Sequence, residues 1–216
     1  MKLFNYWRSS ASYRVRLALG FKGLPYEYVA VNLIKGEQNE SAHRGRNPWG
    51  GVPVLEVVEG GKTIELPQSV AIVEYLEERY PEKPLFPKGL IERARMRAMV
   101  ELVNSGIQPL HNMRVNNYVK DVLHGDPKVW AEQWIGLGLD SLEAMAKDSA
   151  GKFLCGDAFT FADACLLPQL FGARRFAAST VDAAKLPTLI RVEAECLKLD
   201  FVQKARPENQ PDAITS

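Results

Sequence analysis

The chain has 216 residues, of which 46% are hydrophobic, and this length is sufficient to bury the cores of two small domains. Its 27 basic and 26 acidic side chains leave a formal net charge of +1 and are interleaved along the sequence, so binding to nucleic acid or to an anionic membrane is not expected. The sequence has no apolar run of the roughly 20 residues that span a bilayer.

The N-terminal residues and the cysteines indicate a cytoplasmic protein. The chain leads directly into the strand-like sequence LFNYW, which lacks the apolar segment and cleavage site of a signal peptide. The cysteines are odd in number and lie mostly among apolar residues, so we expect reduced thiols at Cys155, Cys165 and Cys196. They do not share metal-ligand spacing with the histidines, and no metal site is predicted.

Up to about residue 80, short strand-like segments alternate with longer helix-like ones. Apolar patterns predict strands in KLFNYW, in YEYVAVNL and on both sides of Gly60-Gly61, which is a two-residue hairpin signal. Helical periodicity predicts helices in SYRVRLALGF and in SVAIVEYLEERYP, which Pro81 ends. The order β-α-β-(α)-β-β-α contains a parallel crossover followed by an antiparallel hairpin, which is the thioredoxin-like order.

Residues 81–90, PEKPLFPKGL, hold three prolines and a glycine, which predict a linker. We place a thioredoxin-like domain at 1–82, the linker at 83–90 and an all-helical domain at 91–216, so the fold class is α/β plus all-α. In the second domain, Gly106 and Pro109 should kink or locally unwind the first helix. Helices are predicted near 91–121, 127–148, 161–178 and 186–198.

Three shorter patterns in the second domain also allow a prediction. The segment FTFAD has the form of a capping box, in which Thr160 and Asp163 satisfy the first N–H groups of a helix. Trp130 and Trp134, one helical turn apart, are predicted to lie in the core. His111 lies near residues that we assign to a site below, and it is a candidate for contact with a substrate.

Three serines stand between arginines in YWRSSASYRVR, residues 6–16, where the first strand ends and the first helix begins. Unsatisfied N–H groups and the positive end of the helix dipole point outward there, so an anion is stabilised. A serine at this position also commonly caps the helix, and Ser12, adjacent to the helical run, is the favoured cap. Capping explains neither three hydroxyls nor Arg8 immediately before them.

Thioredoxin-like turns usually host thiol chemistry, yet this segment contains no cysteine, so a thiol has to come from a ligand such as glutathione. A thiol of pKa ~8.5 is only slightly ionised at neutral pH. Lowering that pKa by ~2 units requires ~2.7 kcal/mol. A hydroxyl hydrogen bond to a charged group contributes ~1.5–3 kcal/mol and a helix N-terminus a further ~0.3–1 kcal/mol, so one serine is sufficient.

Two further segments fit an extended tripeptide. In NPWGGVP, a cis Val52-Pro53 bond would leave the backbone N–H and C=O of Val52 free to pair with a peptide, although a trans proline opening an edge strand is the alternative. Gln68 and Ser69 stand at the N-terminus of the next helix, a second position for an anion such as a γ-glutamyl carboxylate. Ser69 alone is also a common helix cap.

Six segments occur in the order and spacing found in zeta-class glutathione transferases, the maleylacetoacetate isomerases: YWRSSASYRVRLAL, NPWGGVPVL, LPQSVAIVEYLEERYP, GIQPLHNMRV, DACLLPQLFGARRF and RPENQPD. The chain resembles this family over nearly its whole length. The Val-Pro and Gln-Ser elements are shared by many glutathione transferases, whereas the Ser-Ser-x-Ser run, GIQPLHN and NQPD are specific to zeta. The resemblance implies the glutathione transferase fold, glutathione as cofactor and a homodimer.

The resemblance also implies a glutathione-dependent conversion of maleylacetoacetate to fumarylacetoacetate, as in tyrosine and phenylalanine catabolism, by thiolate addition, rotation and elimination. One position departs from the family, which usually has Cys after the two serines where this chain has Ala11. Some bacterial relatives that isomerise maleylpyruvate also lack this Cys. The alternatives are therefore a maleylpyruvate isomerase, a general glutathione transferase of small haloacids or xenobiotics, and a non-catalytic glutathione-binding protein.

Site residues follow from the same resemblance. Ser9 would face the glutathione sulfur, and Ser10 is the second candidate for this catalytic role. The cofactor-binding set would comprise Ser9, Ser10, Ala11, Ser12, Tyr13, Arg14, Gln38, Val52, Gln68, Ser69, Gln108, Asn112, Met113 and Arg114. The carboxylates of a dianionic substrate would be bound by the arginines Arg8, Arg174 and Arg175, because arginine binds carboxylates bidentately.

Overall fold

The computed structural model describes residues 1–214, and its first part is a four-stranded mixed sheet. Strand β1 (Lys2–Asn5) pairs in parallel with β2 (Glu27–Ala30) and antiparallel with β3 (Val54–Glu59), which pairs antiparallel with β4 (Lys62–Pro67). The strand order is β2-β1-β3-β4. Between β3 and β4, Gly60 and Gly61 have φ values of 57° and 76°. Two successive positive φ values are what a tight hairpin turn requires, and the predicted hairpin is confirmed.

Three helices accompany this sheet: α1 (Ser10–Lys22), α2 (Ser41–Arg46) and α3 (Ser69–Arg79). Helix α1 ends because Gly23, at φ 71°, turns its N–H back to the carbonyls of Gly20 and Leu19. The core between the sheet and the helices consists of aliphatic side chains that are fully buried, among them Leu3, Val15, Leu17, Leu19, Leu55, Ile72, Val73 and Leu76. The element order confirms the thioredoxin-like prediction.

The second part is helical, as predicted, with α4 (Leu90–Glu101), α5 (Met113–Asp121), α6 (Pro127–Ala146), α7 (Phe161–Phe176) and α8 (Pro187–Cys196). Between α4 and α5, the chain forms a π-helical segment over Leu102–Ile107 and a 3-10 turn over Gln108–His111. The interruption expected at Gly106 and Pro109 is therefore confirmed. Within residues 1–214, no helix is long and apolar enough to cross a membrane.

The C-terminal residues differ from the domain boundaries predicted above. Residues 1–84 and 199–214 form one compact unit and residues 85–198 the other, whereas the sequence pattern assigned 91–216 to the helical domain. The last two of those positions lie outside the described residues. Helix α9 (Asp200–Ala205) packs on α1, where Phe201 contacts Phe21 edge to face at 5.6 Å between ring centroids. A six-residue helix has too little periodicity to indicate which core it joins.

The capping box at the start of α7 is confirmed. Asp163 is fully buried, and its Oδ2 accepts hydrogen bonds from the backbone N–H and the hydroxyl of Thr160, at 2.7 and 2.8 Å. Its Oδ1 accepts a further bond from the Leu154 N–H at 2.8 Å. Burial outweighs these bonds and raises the pKa of Asp163 to about 6.

The raised pKa of Asp163 predicts a dependence of stability on pH. Because the unfolded carboxyl titrates near ~3.9, the folded protein binds this proton more tightly. The contribution is complete below about pH 4 and is lost as pH rises through about 6, a change of order 3 kcal/mol. Denaturant unfolding is measured between pH 4 and 7 for the parent protein and for Asp163→Asn. The free energy of unfolding of the parent, minus that of the variant, should fall as pH rises. A difference that stays constant over this range contradicts the prediction.

Candidate active site

Ser9 caps helix α1, at the turn that follows β1. Its side chain accepts a hydrogen bond from the Ser12 N–H at 3.2 Å, and its carbonyl accepts one from the Tyr13 N–H at 2.9 Å. The sequence favoured Ser12 as the cap, and this is corrected: Ser12 is fully buried and its Oγ accepts from the Tyr6 N–H at 3.5 Å. The helix starts two residues earlier than the apolar pattern indicated, because its first residues, Ser10 and Ala11, carry no apolar periodicity.

The cap leaves Ser9 able to bind an anion. A hydroxyl has one donor and two acceptor sites, and the Ser12 N–H uses only an acceptor site, so the proton stays available for a ligand. Ser9 is half-buried at the positive end of a 13-residue helix that has no acidic residue in its first turn. Ser10, the first residue of α1, is also half-buried. Capping and thiolate stabilisation are therefore compatible in one side chain.

The arginines of the opening segment have different surroundings. Arg8 is half-buried, and its guanidinium lies over the Trp7 ring, 4.3 Å from the centroid. Arg14 is 1% exposed, and its Nη1 donates to Ser69 Oγ at 3.4 Å. A buried cation thus contacts the first residue of α3. Tyr13, which precedes it, is buried.

The N-terminus of α3 is a second position for an anion. Gln68, the residue before the helix, has φ 72°, a left-handed conformation that is uncommon for a residue with a side chain. Such backbone conformations cluster at ligand sites. Ser69 follows it and is 5% exposed, and the first turn of α3 holds no acidic residue. The helix dipole and the Arg14 guanidinium both favour negative charge at this place.

Backbone and side-chain groups suited to a peptide lie in the segments before β3. The Val52-Pro53 bond is cis, and the N–H and C=O of Val52 have no hydrogen-bond partner within residues 1–214. The Nε2 of Gln38 donates to the Leu33 carbonyl at 3.4 Å, whereas its buried Oε1 has no partner among the residues described. The loop between them is held by Asn47, whose Nδ2 donates to the Gly51 carbonyl at 2.9 Å.

In the helical unit, the predicted glutathione ligands lie around the start of α5. Gln108 opens the 3-10 turn and is half-buried. Asn112 caps α5, and its Oδ1 accepts from the Val115 N–H at 3.1 Å. Met113 and Arg114 are exposed in the first turn of α5. The 3-10 turn and the start of α5 therefore carry all four predicted residues.

One prediction about side chains near this turn needs correction. Trp130 and Trp134 are half-buried rather than core, and Trp130 Nε1 donates to the Leu110 carbonyl at 2.7 Å, which holds the 3-10 turn. His111, a candidate for substrate contact, is 2% exposed and lies within 3.4 Å of the Gln169 side chain. Packing within the helical unit therefore accounts for His111.

The two arginines at the end of α7 differ in their contacts. Arg174 forms a bidentate ion pair with Glu193, at 2.6 and 2.5 Å. This pair gives Arg174 a structural role, which differs from the carboxylate binding predicted above. The guanidinium of Arg175, which is exposed, lies over the Phe176 ring at 4.8 Å from the centroid.

The cysteines are all free thiols. Burial raises the pKa of Cys155 to about 11 and also raises the pKa of Cys196, so neither is an activated nucleophile. Among residues 1–214, no group of three or more His, Cys, Asp or Glu side chains is arranged to hold a metal ion.

Two residues near the Ser9 turn were not identified from the sequence. Arg16 is 1% exposed, and its guanidinium donates to the backbone carbonyls of Tyr6 and Trp7. Asp212 accepts a hydrogen bond from the Trp7 N–H at 3.3 Å. The position of Arg16 between Val15 and Leu17, inside an apolar run, was a usable signal of burial. Asp212 ends the NQPD segment of the zeta-class resemblance, but no local pattern indicated its contact with Trp7.

Comparison with known proteins agrees with this geometry. The N-terminal domain model of glutathione S-transferases matches residues 1–78, and the C-terminal domain model matches residues 128–198. The maleylacetoacetate isomerase of Pseudomonas aeruginosa is 43% identical over 98% of each chain.

Solved structures of isomerases also match this chain over nearly its whole length. The maleylacetoacetate isomerase of Anaeromyxobacter dehalogenans 2CP-1, with glutathione bound in its active site, has a TM-score of 0.90 at 50% identity and covers 99% of this chain and 97% of its own. Another structure of that enzyme holds dicarboxyethyl glutathione and citrate. A bacterial zeta-class maleylpyruvate isomerase has a TM-score of 0.91 at 40% identity, covering 99% of this chain and all of its own. The chain therefore belongs to the glutathione S-transferase family, within the group of zeta-class transferases and maleylacetoacetate isomerases.

Proposed function

We propose that this protein is a glutathione-dependent cis-trans isomerase that converts maleylacetoacetate to fumarylacetoacetate and also has glutathione transferase activity. The observation that carries the proposal is the position of Ser9, whose hydroxyl proton is available at the positive end of α1. This arrangement stabilises a thiolate in a segment without a cysteine of its own. The reaction belongs to the breakdown of tyrosine and phenylalanine.

Glutathione fits the groups that the first unit leaves available. The N–H and C=O of Val52 and the Oε1 of Gln38 lack partners within residues 1–214 and match the backbone groups of an extended peptide. The N-terminus of α3, with Gln68, Ser69 and Arg14, matches a γ-glutamyl carboxylate. When bound, glutathione supplies a sulfur nucleophile that adds reversibly to a conjugated cis double bond and so permits rotation to the trans isomer.

Ser9 has the central role in this scheme. A charge-assisted hydrogen bond from its hydroxyl contributes ~1.5–3 kcal/mol to the thiolate form, and the N-terminus of α1 adds ~0.3–1 kcal/mol. Together they lower a thiol pKa by about 1.3 to 3 units, which brings it to neutral pH or below. Ser9 accepts the Ser12 N–H at the same time, so the hydroxyl is oriented by the helix it caps.

Arg8 and Arg175 are suited to the substrate's carboxylates. Each guanidinium lies over a neighbouring aromatic ring, Trp7 for Arg8 and Phe176 for Arg175. Stacking of this kind uses the face of a guanidinium, whereas a carboxylate binds to its edge, which carries the N–H donors. The citrate and dicarboxyethyl glutathione bound by the related isomerase support a site for ligands with several carboxylates.

Maleylpyruvate is the second candidate substrate. The observation that favours it is Ala11, which stands where the maleylacetoacetate isomerases usually have Cys. The similar maleylpyruvate isomerase of Ralstonia is 40% identical over 99% of this chain. Both substrates are cis dianions with a carbonyl conjugated to the double bond, so the same serine and arginine roles apply.

A coupled assay tests the proposed function. Purified protein is incubated with glutathione and maleylacetoacetate or maleylpyruvate, and the trans product is followed. We expect glutathione-dependent isomerisation of at least one of them, and the ratio of the two kcat/KM values identifies the preferred substrate. Conjugation of a neutral electrophile without isomerisation of either substrate would instead indicate a general transferase.

The zeta-class resemblance supports a homodimer in the cytoplasm. Exposed apolar side chains consistent with a subunit interface include Val58, Leu90 and Ile91, which are 71%, 83% and 63% exposed. Light scattering at micromolar concentration should give twice the chain mass of 24.1 kDa. A mass equal to one chain contradicts the dimer.

A further inference from the structure

The C-terminal residues, which the proposed function does not use, contact the turn that carries Ser9. Asp212 lies beyond α9, and its Oδ2 accepts the Trp7 N–H at 3.3 Å. Its Oδ1 accepts a hydrogen bond from the hydroxyl of Tyr28 on β2. Burial and the bond to Asp212 raise the pKa of Tyr28, so this phenol stays protonated and donates.

Arg16 holds the same backbone through other atoms. Its Nη2 donates to the Trp7 carbonyl at 3.0 Å, and its Nη1 lies 3.4 Å from the Tyr6 carbonyl. Its Nε donates to the carbonyl of Ala205, the last residue of α9, at 3.1 Å. We refer to Arg16, Tyr28 and Asp212 as the C-terminal clamp.

The clamp acts on one planar group. The Tyr6 carbonyl and the Trp7 N–H belong to a single peptide unit, whose atoms move together. Asp212 holds the N–H side of that unit, and Arg16 holds its carbonyl side. The Ser9 N–H donates to the same Tyr6 carbonyl at 3.0 Å. Rotation of this peptide therefore displaces the backbone of Ser9 and, with it, the hydroxyl at the N-terminus of α1.

The clamp places a buried cation, Arg16, near the negative charge of Asp212. Burial lowers the pKa of the Arg16 guanidinium, and the negative charge of Asp212 acts in the opposite direction. Loss of the Asp212 charge therefore affects the stability of the fold through Arg16, whereas loss of its acceptor oxygens affects the Trp7 peptide. The two effects are separable by substitution.

We propose that Asp212 is a positioning residue for the reaction, which fixes the Tyr6-Trp7 peptide so that the Ser9 hydroxyl is placed for the thiolate. The proposal rests on the role of Ser9 toward glutathione given above. In this scheme, the NQPD segment near the C-terminus assists the ionisation of a thiol that the N-terminal residues bind. Asp212 itself has no contact with a reacting atom in this scheme.

Substitution of Asp212 tests the clamp through the ionisation of bound glutathione, followed by the ultraviolet absorbance of its thiolate. Asp212→Ala should raise the pKa of the bound thiol by about one unit and lower kcat at neutral pH about tenfold, with recovery at higher pH. The dissociation constant of glutathione should change less than about threefold, because the Val52 and α3 groups are untouched. Amide exchange at Trp7 should become faster.

Asp212→Asn is the conservative variant. Its amide oxygen accepts the Trp7 N–H, and its amide nitrogen donates to the Tyr28 oxygen, so both bonds are kept without the charge. We expect a lower melting temperature with a thiol pKa within about 0.3 unit of the parent. Glu208→Gln, which alters an exposed carboxylate paired with Arg206 in the same segment, is the matched control and should change neither quantity.

An Asp212→Ala protein that folds and shows an unchanged thiol pKa overturns the proposal. If this variant does not fold, Tyr28→Phe removes the second partner of Asp212 and should raise the thiol pKa in the same direction by a smaller amount. An unchanged value in that protein is equally contradictory. Failure of the parent protein to lower the thiol pKa of glutathione contradicts the proposed function, whereas a normal parent with unaffected variants contradicts the clamp alone.

Discussion

Ser9→Ala is expected to lower turnover about 10- to 150-fold and to raise the pKa of bound glutathione's thiol by about 1 to 2 units. The reason is the loss of one charge-assisted hydrogen bond, of ~1.5–3 kcal/mol. Because Ser9 also accepts the Ser12 N–H as the cap of α1, this variant should lose a further ~1 kcal/mol of stability. Steady-state kinetics, a thiolate titration and denaturant unfolding measure the three effects.

Ser9→Gly separates the two roles of this hydroxyl. Glycine at an N-cap costs only a few tenths of a kcal/mol relative to serine, so we expect near-parental stability with the same loss of turnover as in Ser9→Ala. Turnover within about threefold of the parent in both variants, less than ~0.7 kcal/mol, contradicts the assignment. Ser10 or the backbone N–H groups of α1 would then stabilise the thiolate, and Ser10→Ala would show the loss.

Arg175→Ala should lower kcat/KM for a maleyl substrate about 10- to 150-fold, because one charge-assisted contact to a carboxylate is lost. The guanidinium of Arg175 is exposed and lies over the Phe176 ring. A neutral electrophile conjugated by the same thiolate has no carboxylate, and its rate should change little. The ratio of the two activities is therefore the quantity to measure.

Arg174→Ala is the matched control for this experiment. It removes a neighbouring positive charge and a bidentate pair with Glu193, a partly exposed interaction worth about 1 kcal/mol or less. We expect a small loss of stability and an unchanged ratio of activities. Equal losses on both substrates in Arg175→Ala would mean that Arg175 supports the structure, and no loss on either would place it outside the site. Either result contradicts carboxylate binding by Arg175.

Several predictions from the sequence succeeded because each depends on residues that lie only a few positions apart. The hairpin at Gly60-Gly61 depends on two residues that tolerate positive φ. The capping box joins Thr160 and Asp163, three positions apart. The start of α1 was the exception within this range, because Ser9 and Ser12 are both suitable caps and only the backbone conformation selects Ser9.

The sequence alone determined the class of fold, the break between α4 and α5 and the serine-rich turn, since each depends on periodicity or on turn chemistry within a few residues. The tertiary structure alone decided which distant groups meet. Trp7 and Asp212 are 205 positions apart, and Arg14 and Ser69 are 55 apart. Such pairs form because α1 and α3 pack on one sheet and the last residues return to α1. Hydrogen bonds between them depend on the path of the whole chain, which no local pattern encodes.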